Sequence, residues 1–332
     1  MSRPRRDSNT PILAPLAEEQ LGDRTWSDTC DVLVIGWGAA GACAALEARS
    51  HGAQVIIADR FTGGGASAKS GGVVYAGGGT RQQQAAGFSD SPQAMFDYLK
   101  HETQGVVSDA TLRKFCADSV SNLSWLEGHG ARYAHSVPPG GKTSYPSDGY
   151  FLYYSGNELV PSHAGEQAPA PRGHRTVGKG QCGAVLYRHL KDACLKAGVQ
   201  PLLQSAARRL VIDASGRVIG AELWCLPAGS REAILHARLA ARAERLQNFA
   251  PGYCDRLRQK ITQLEHDHAR PTLVRARRGV ILSTGGFIFN RELIQDHAPK
   301  FRRNFKVGAT GCDGSGLRLG QSVGACSERL SR

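Results

Sequence analysis

The sequence predicts an α/β fold built on a parallel central sheet, and three observations predict it. The first is Asp31-Val-Leu-Val-Ile35, a β-branched run of the kind found in a strand buried on both faces. The second is an alanine-rich helical segment from about Ala39 to Ser50, leading into another buried run, Ala53-Gln-Val-Ile-Ile-Ala58. Residues 31–58 thus form a βαβ unit of the length a right-handed crossover requires. The third is a return to the same pattern late in the chain, at Gly279-Val-Ile-Leu-Ser-Thr284.

The other elements follow in order. Residues 1–28 are polar and proline-bearing without periodicity, and read as a flexible tail. After the second strand comes a glycine-rich stretch from Gly63 to Gly79, then helical segments near 91–104 and 108–128. Residues 133–180 are loop-rich, because Pro138, Pro139, Pro146, Pro161, Pro169 and Pro171 break any long element. A helix at about 182–197 leads to a strand at Val199–Leu203. A hairpin is then expected, Arg209–Asp213 with Val218–Leu223, turning at Ala214-Ser-Gly216. Two amphipathic helices follow; in the second, Tyr253, Leu257, Ile261 and Leu264 share one face and are expected to pack. Hairpin and helices are expected as a layer additional to the parallel sheet. Gly311-Cys-Asp-Gly-Ser-Gly316 opens a last short helix, and no internal repeat is visible.

Composition narrows the function classes. Hydrophobic residues make up 41% and charged residues 21%, enough for a sizeable core. The 40 glycines exceed the ~7% average and cluster at 36–41, 63–79, 285–286 and 308–316, where loops must bring backbone close to something. The net charge of +12 raises nucleic-acid binding as a class. Residues 201–280 hold fourteen Lys/Arg against seven Asp/Glu but lack aromatic interleaving or a nucleic-acid motif. A solvated basic face that steers anions is the better reading, with no nucleic acid as partner. The nine cysteines are scattered and odd in number, as reduced thiols in the cytosol would be. The N-terminus, Arg5–Arg6 included, lacks the apolar run of a signal peptide, and no stretch approaches the ~18 apolar residues of a membrane span. A soluble cytoplasmic protein is expected.

Gly36-Trp-Gly-Ala-Ala-Gly41 matches G-x-G-x-x-G in its full context: strand before, helix after, second strand, and Asp59 at that strand's end. Gly36 permits the tight turn, Gly38 lets backbone approach a pyrophosphate, and Gly41 lets helix pack on strand. The helix N-terminus offers N–H groups and partial positive charge to the phosphates. Asp59 is placed to accept hydrogen bonds from a ribose diol. A NAD enzyme would continue with regular βαβ repeats. This chain instead runs into Gly63-Gly-Gly-Ala-Ser-Ala-Lys-Ser-Gly-Gly72, a loop suited to lie along a longer cofactor, which favours FAD over NAD.

These motifs, with Val280-Ile-Leu-Ser-Thr-Gly-Gly-Phe287 and Thr310-Gly-Cys-Asp-Gly-Ser-Gly316, resemble the fumarate reductase/3-ketosteroid dehydrogenase family of FAD-dependent oxidoreductases. Ser70-Gly-Gly-Val-Val-Tyr-Ala-Gly-Gly-Gly-Thr80 and Gly149-Tyr-Phe-Leu-Tyr-Tyr-Ser-Gly-Asn-Glu158 look most like its ketosteroid Δ4-dehydrogenase branch. The resemblance runs from about Asp31 to the end and implies a Rossmann-like FAD-binding domain over 29–326. It implies pyrophosphate contacts around Gly36, Gly38, Ala40 and Gly41, and adenosine ribose binding by Asp59 with Arg60 beside it. Ser67, Ser70, Gly71 and Gly72 would line the flavin side. Ala207, in a strand at Ala206–Leu210, would meet the adenine; Thr284, Gly285, Gly286 and Asp313 would complete the ribityl and pyrophosphate surroundings. Some members attach FAD through a histidine in the loop corresponding to 61–72; none stands here, so FAD is expected to be non-covalent.

Family members are longer. Residues 327–332 fall where the substrate-capping domain of relatives begins, so that domain and a final FAD-binding segment are expected to be absent, and no catalytic residue is transferred. The implied chemistry is hydride transfer between a substrate carbon and flavin N5, beside a ketone polarised by a donor. Tyr75, Tyr150, Tyr153 and Tyr154 are the hydroxyls available, though each reads more readily as a packing residue. His163, His174, His266 and His268 lack metal-ligand spacing, and Cys312 reads as small packing. A steroid-like ketone is the expected substrate, with a dicarboxylate, a catalytically incomplete flavoprotein and a NAD-dependent dehydrogenase as alternatives.

Overall fold

The three apolar runs become adjacent strands, because only a sheet covered on both sides can pair their backbones and bury both sets of side chains. The computed structural model describes residues 8–163 and 168–330. Its strands are β1 (Leu16–Ala17), β2 (Asp28–Ile35), β3 (Val55–Asp59), β4 (Val73–Tyr75), β5 (Leu152–Tyr153), β6 (Gly173–Arg175), β7 (Gln200–Leu203), β8 (Ser205–Ile212), β9 (Val218–Cys225) and β10 (Arg270–Leu282). They divide between two compact units, one formed by the described residues up to Ala66 and from Cys194 onward, the other by those between Ser67 and Ala193.

The first unit holds a seven-stranded sheet of order β1-β8-β9-β10-β2-β3-β7. Neighbours are parallel at β1/β8, β10/β2, β2/β3 and β3/β7, and antiparallel at β8/β9 and β9/β10. The parallel core expected around the βαβ unit is therefore present, inside a mostly parallel mixed sheet. Leu33, Ile35, Ile56, Ala58, Leu210, Leu223 and Val274 form its buried centre. Above it lies the helix Ala39–Ser50, whose buried positions Gly41, Ala42, Ala45 and Leu46 are mostly small enough to let the axis approach the strands.

Two expectations are corrected here. The hairpin is not a separate layer: β9 pairs with β10 from Cys225↔Arg270 to Gly220↔Arg275, which makes it part of the main sheet. Only the helices Arg231–Leu246 and Pro251–His268 stand outside the sheet, as the connection from β9 to β10. On the second of these Leu257 and Ile261 are buried as expected, but so is Glu265, one turn further on. The stretch read as a flexible tail is ordered from residue 8 onward. β1 joins the sheet edge, and Thr10 N and Oγ1 each donate to Asp313 Oδ2 at 2.6 Å. Two hydrogen bonds to a buried carboxylate offset the entropy of fixing such a segment. Residues 1–7 of that tail, Arg5–Arg6 with them, and residues 331–332 lie outside the described part.

The second unit has a small antiparallel sheet, β4-β6-β5. Its helices Pro92–Thr103 and Asp109–Ala117 pack around Met95, Phe96, Leu112 and Cys116, and the helix Ser119–Gly128 follows them. Ser91 and Ser108 cap the first two, accepting from Ala94 N and Thr111 N. The segment expected as one helix over 108–128 divides at Asp118. Among the described residues no helix is long and apolar enough to cross a membrane.

Leu33 is fully buried at the centre of the larger sheet. Leu33→Ala is expected to lower unfolding stability by about 2–5 kcal/mol through lost transfer energy and the cavity left behind, measured by urea denaturation.

Candidate functional site

The turn after β2 is shaped by crowding. Gly36 has φ +103°, and a Cβ there would lie 2.5 Å from the Ser283 carbonyl oxygen, beyond the end of β10. A Cβ on Gly41 would overlap the Gly36 carbonyl oxygen itself. Gly36 N donates to Ala58 O at 2.8 Å, Ser283 N donates to Ile35 O at 2.8 Å, and Ser283 Oγ donates to Gly36 O at 2.8 Å. The ends of β3, β2 and β10 are thus stitched together where the helix Ala39–Ser50 begins. Its N-cap, Gly38, has extended backbone, and no side chain caps the first turn, where Ala40 and Gly41 lie. A helix start with no side-chain cap, in a cradle that Cβ atoms would fill, fits a bound pyrophosphate.

Asp59 ends β3 beside this cradle. Its Oδ2 accepts from Trp37 N at 2.8 Å and its Oδ1 from Phe61 N at 2.7 Å, while the Gly63 backbone also donates to it. Burial pushes the carboxyl above the ordinary carboxylate range, and the three N–H groups pull against that rise. Gly64 N donates to Trp37 O at 2.7 Å, with Gly63 and Gly64 both at positive φ, so the chain folds back against the turn at 36–38.

Arg60 faces away from a ribose role. Its Nε donates to Glu265 Oε1 at 2.8 Å, its Nη1 to Asp313 Oδ2 at 3.0 Å and Thr10 Oγ1 at 2.9 Å, and its Nη2 to Thr262 Oγ1 at 3.1 Å. Glu265 also takes Arg208 Nη2 at 3.2 Å and lies 3.0 Å from His236 Nε2. This carboxylate has 4% of its side-chain surface exposed, so three partners converge on a charge removed from water. Despite burial, Arg60 and His236 hold it down to about 2. Asp313 is equally committed, since Oδ2 takes Thr10 and Arg60 and Oδ1 accepts from Ser315 N at 3.0 Å.

The remaining expected residues of this unit are close by. Thr284 Oγ1 accepts from Gly316 N at 2.9 Å, and a Cβ at Gly316 would overlap the Thr284 side chain. Gly285 has φ +80°, and Gly286 O accepts from Gly314 N at 3.1 Å, which ties this loop to the one carrying Asp313. Ala207 lies buried in β8, in the same core cluster as Ile35 and Ala58.

Ser67, Ser70, Gly71 and Gly72 belong to the other unit. Ser70 Oγ donates to Ser67 O at 2.8 Å and accepts from Gly72 N at 3.1 Å. Gly183 N donates to Ser70 O, and Thr176 N and Oγ1 both donate to Gly72 O, so the loop is clamped to the start of the helix Gly183–Lys196 and to the residue after β6. Gly72, at φ +65°, has the Cys182 carbonyl 2.5 Å from where a Cβ would stand.

Two of the four candidate tyrosines, Tyr75 and Tyr154, have hydroxyls bonded within the protein. Tyr75 OH donates to Glu158 Oε1 at 3.0 Å and is pushed far up by burial and by that carboxylate. Tyr154 OH donates to Pro169 O, and burial pushes buried Tyr153 up to about 12. His174 is fully buried against Thr80 Oγ1 and Arg172 O, and burial pulls it down to about 4. Cys312 is buried, its thiol pushed up by that burial. Sequence reasoning missed Ser283, Thr10, His236 and Glu265. Only Glu265 left a signal: it extends the Leu257–Ile261 spacing by four, an acid on an apolar face.

Two expectations follow. Gly36→Ala is expected to destabilise by several kcal/mol, because both the positive φ and the Ser283 carbonyl oppose a Cβ, seen as a fall in melting temperature. The pH dependence of Glu265 also has a definite sign. Its native value of about 2 lies below the ordinary 4.5, so the native state binds the proton less tightly than the unfolded chain. That contribution, on the order of 3 kcal/mol, is fully present above about pH 4.5 and fades as pH falls toward 2. Urea midpoints taken between about pH 6 and pH 3 are expected to decline in the native protein, with this part of the slope missing in Glu265→Gln.

Comparison with known proteins accords with this geometry. A family model described as FAD binding domain matches residues 31–330. The chain is 44% identical over 320 residues to 3-oxo-5-alpha-steroid 4-dehydrogenase of Comamonas testosteroni, covering 92% of this chain and 58% of that protein. Among solved structures, it is similar to 3-ketosteroid-delta4-(5alpha)-dehydrogenase from Rhodococcus jostii RHA1 in complex with 4-androstene-3,17-dione. The TM-score is 0.77 at 28% identity, over 95% of this chain and 57% of that one. A flavocytochrome c3 fumarate reductase shares the fold, with a TM-score of 0.65 at 22% identity, over 93% of this chain and 43% of that one. The chain spans a little over half the length of the steroid dehydrogenases it matches. With the family model covering nearly all of it, the chain belongs to the FAD binding domain family, and FAD is its cofactor.

Proposed function

We propose that this chain is the FAD-binding part of an enzyme that dehydrogenates the carbon–carbon bond next to the ketone of a 3-ketosteroid-like substrate. The observation that carries this reading is the 44% identity to a 3-oxo-5-alpha-steroid 4-dehydrogenase across 92% of the chain. The fumarate reductase structure is more distant, at 22% identity, and nothing in the site favours a dicarboxylate over a ketone.

The chain's own residues bind and orient. The N–H groups around Gly36, Gly38, Ala40 and Gly41, with the partial positive charge of the helix start, hold the pyrophosphate. Asp59, its orientation set by three backbone donors, accepts from the adenosine ribose. Gly285, Gly286 and Ala207 offer backbone at close approach, while Thr284 and Asp313 act by holding the loops around them. Ser67, Ser70, Gly71 and Gly72 serve the flavin side. When bound, FAD supplies a two-electron acceptor at N5. None of the tyrosines is assigned to proton transfer, since those whose hydroxyls are bonded already serve protein partners. No histidine stands between residues 61 and 72, which supports dissociable FAD. Scattered thiols support the cytoplasm as its compartment.

Purified protein is expected to show flavin absorption that bleaches on adding a saturated 3-ketosteroid without oxygen. Flavin that never bleaches with any 3-ketosteroid would favour the catalytically incomplete flavoprotein instead; a colourless protein that FAD does not stabilise would remove the whole reading. Acid precipitation is expected to release all the flavin to the supernatant. Asp59→Asn is expected to raise the FAD Kd about ten- to a hundredfold, the worth of one charge-assisted hydrogen bond, measured by flavin fluorescence.

A further inference from the structure

The buried ion cluster around Glu265 enters the reading above only through Asp313, yet it begins at the residue next to Asp59. Its members come from five places in the chain: Arg60 after β3, Arg208 in β8, His236 and Glu265 from the two helices between β9 and β10, and Asp313 from the last glycine loop. We infer that Glu265 is a positioning residue for the adenosine half of the cofactor. By clamping Arg60 it holds the Asp59–Phe61 turn in the conformation that accepts the ribose. This deepens the FAD-binding reading and rests on it.

Three observations carry the inference. First, the clamp acts on the turn that carries Asp59: Arg60 Nε is the shortest polar contact of Glu265, at 2.8 Å, ahead of His236 at 3.0 Å and Arg208 at 3.2 Å. Second, the same helices hold the other side of the turn. The His236 ring stacks on Phe61 with centroids 5.4 Å apart and planes at 26°. Gln204 N donates to Phe61 O at 2.9 Å, and the Gln204 side chain reaches Ala233 O and His236 Nδ1. Residues 59–61 are thus fixed by Trp37 N on one flank and by the helical connection on the other. Third, stability alone is a poor reason for this cluster. A buried ion pair is commonly matched or exceeded in stability by apolar residues of the same volume, whereas its directional bonds specify one geometry. Arg208 even keeps Nε and Nη1 buried without an acceptor. Geometry fixed before the ligand arrives lowers the ordering cost of binding, so the cluster is expected to show in affinity.

The test uses ADP, which probes the adenosine and pyrophosphate contacts without the flavin, titrated calorimetrically into flavin-free protein. Glu265→Gln is expected to weaken ADP binding about tenfold or more and to lower the melting temperature. The double variant Arg208→Gln with Glu265→Gln restores the charge balance but leaves Arg60 without the Glu265 carboxylate, with Asp313 as its remaining ion pair. It is expected to regain melting temperature while ADP binding stays weak, and it carries the test by itself if the single variant does not fold. ADP affinity within about twofold of the native protein in either folded variant would overturn the inference. So would affinity that recovers in step with melting temperature, since the cluster would then act through stability alone. Native protein that fails to bind ADP would overturn the FAD reading itself, and this inference with it.

Discussion

Everything in the larger unit is arranged around one steric constraint, the pinch at Gly36. There the ends of three strands meet within hydrogen-bonding distance, and the Ser283 carbonyl occupies the space a side chain would need. No L-residue with a Cβ satisfies both the positive φ and that neighbour. Accepting the constraint brings the helix start down onto the sheet and leaves backbone, not side chains, at the turn. Gly41 repeats the logic one turn later. The two glycines form a single fitted joint between strand and helix.

Beside this joint the protein keeps a carboxylate under tension. Burial disfavours the charge of Asp59, and three backbone N–H groups favour it. Such a group is costly to hold in the empty protein and well placed to gain from a ribose diol. Arg60, one residue on, shows the opposite arrangement, a charge neutralised entirely within the protein by Glu265 and Asp313. Adjacent residues of the same turn are thus held in opposite ways, one by backbone N–H groups and one by carboxylates.

The likeness to steroid dehydrogenases covers nearly the whole chain and a little over half of the relatives. Two of the hydroxyls that sequence alone leaves open for catalysis are bonded within the protein, Tyr75 to Glu158 and Tyr154 to the Pro169 carbonyl. A candidate hydroxyl loses that status once its proton has a fixed acceptor inside the fold.

The amino-acid sequence by itself determined the βαβ unit, the glycine turn and the acid at 59. Each depends on neighbours within about one crossover length, and on rules of sterics that hold wherever those residues occur. It did not reveal that residues 8–28 are ordered, that β9 pairs with β10 inside the main sheet, or that Arg60 is locked away. Those outcomes depend on partners far off in the chain, Thr10 with Asp313 across 303 positions and Arg60 with Glu265 across 205. Polar side chains carry no periodicity that names a distant partner. Only folding, by forcing each buried charge to find its counter-charge, decided which acid met which arginine.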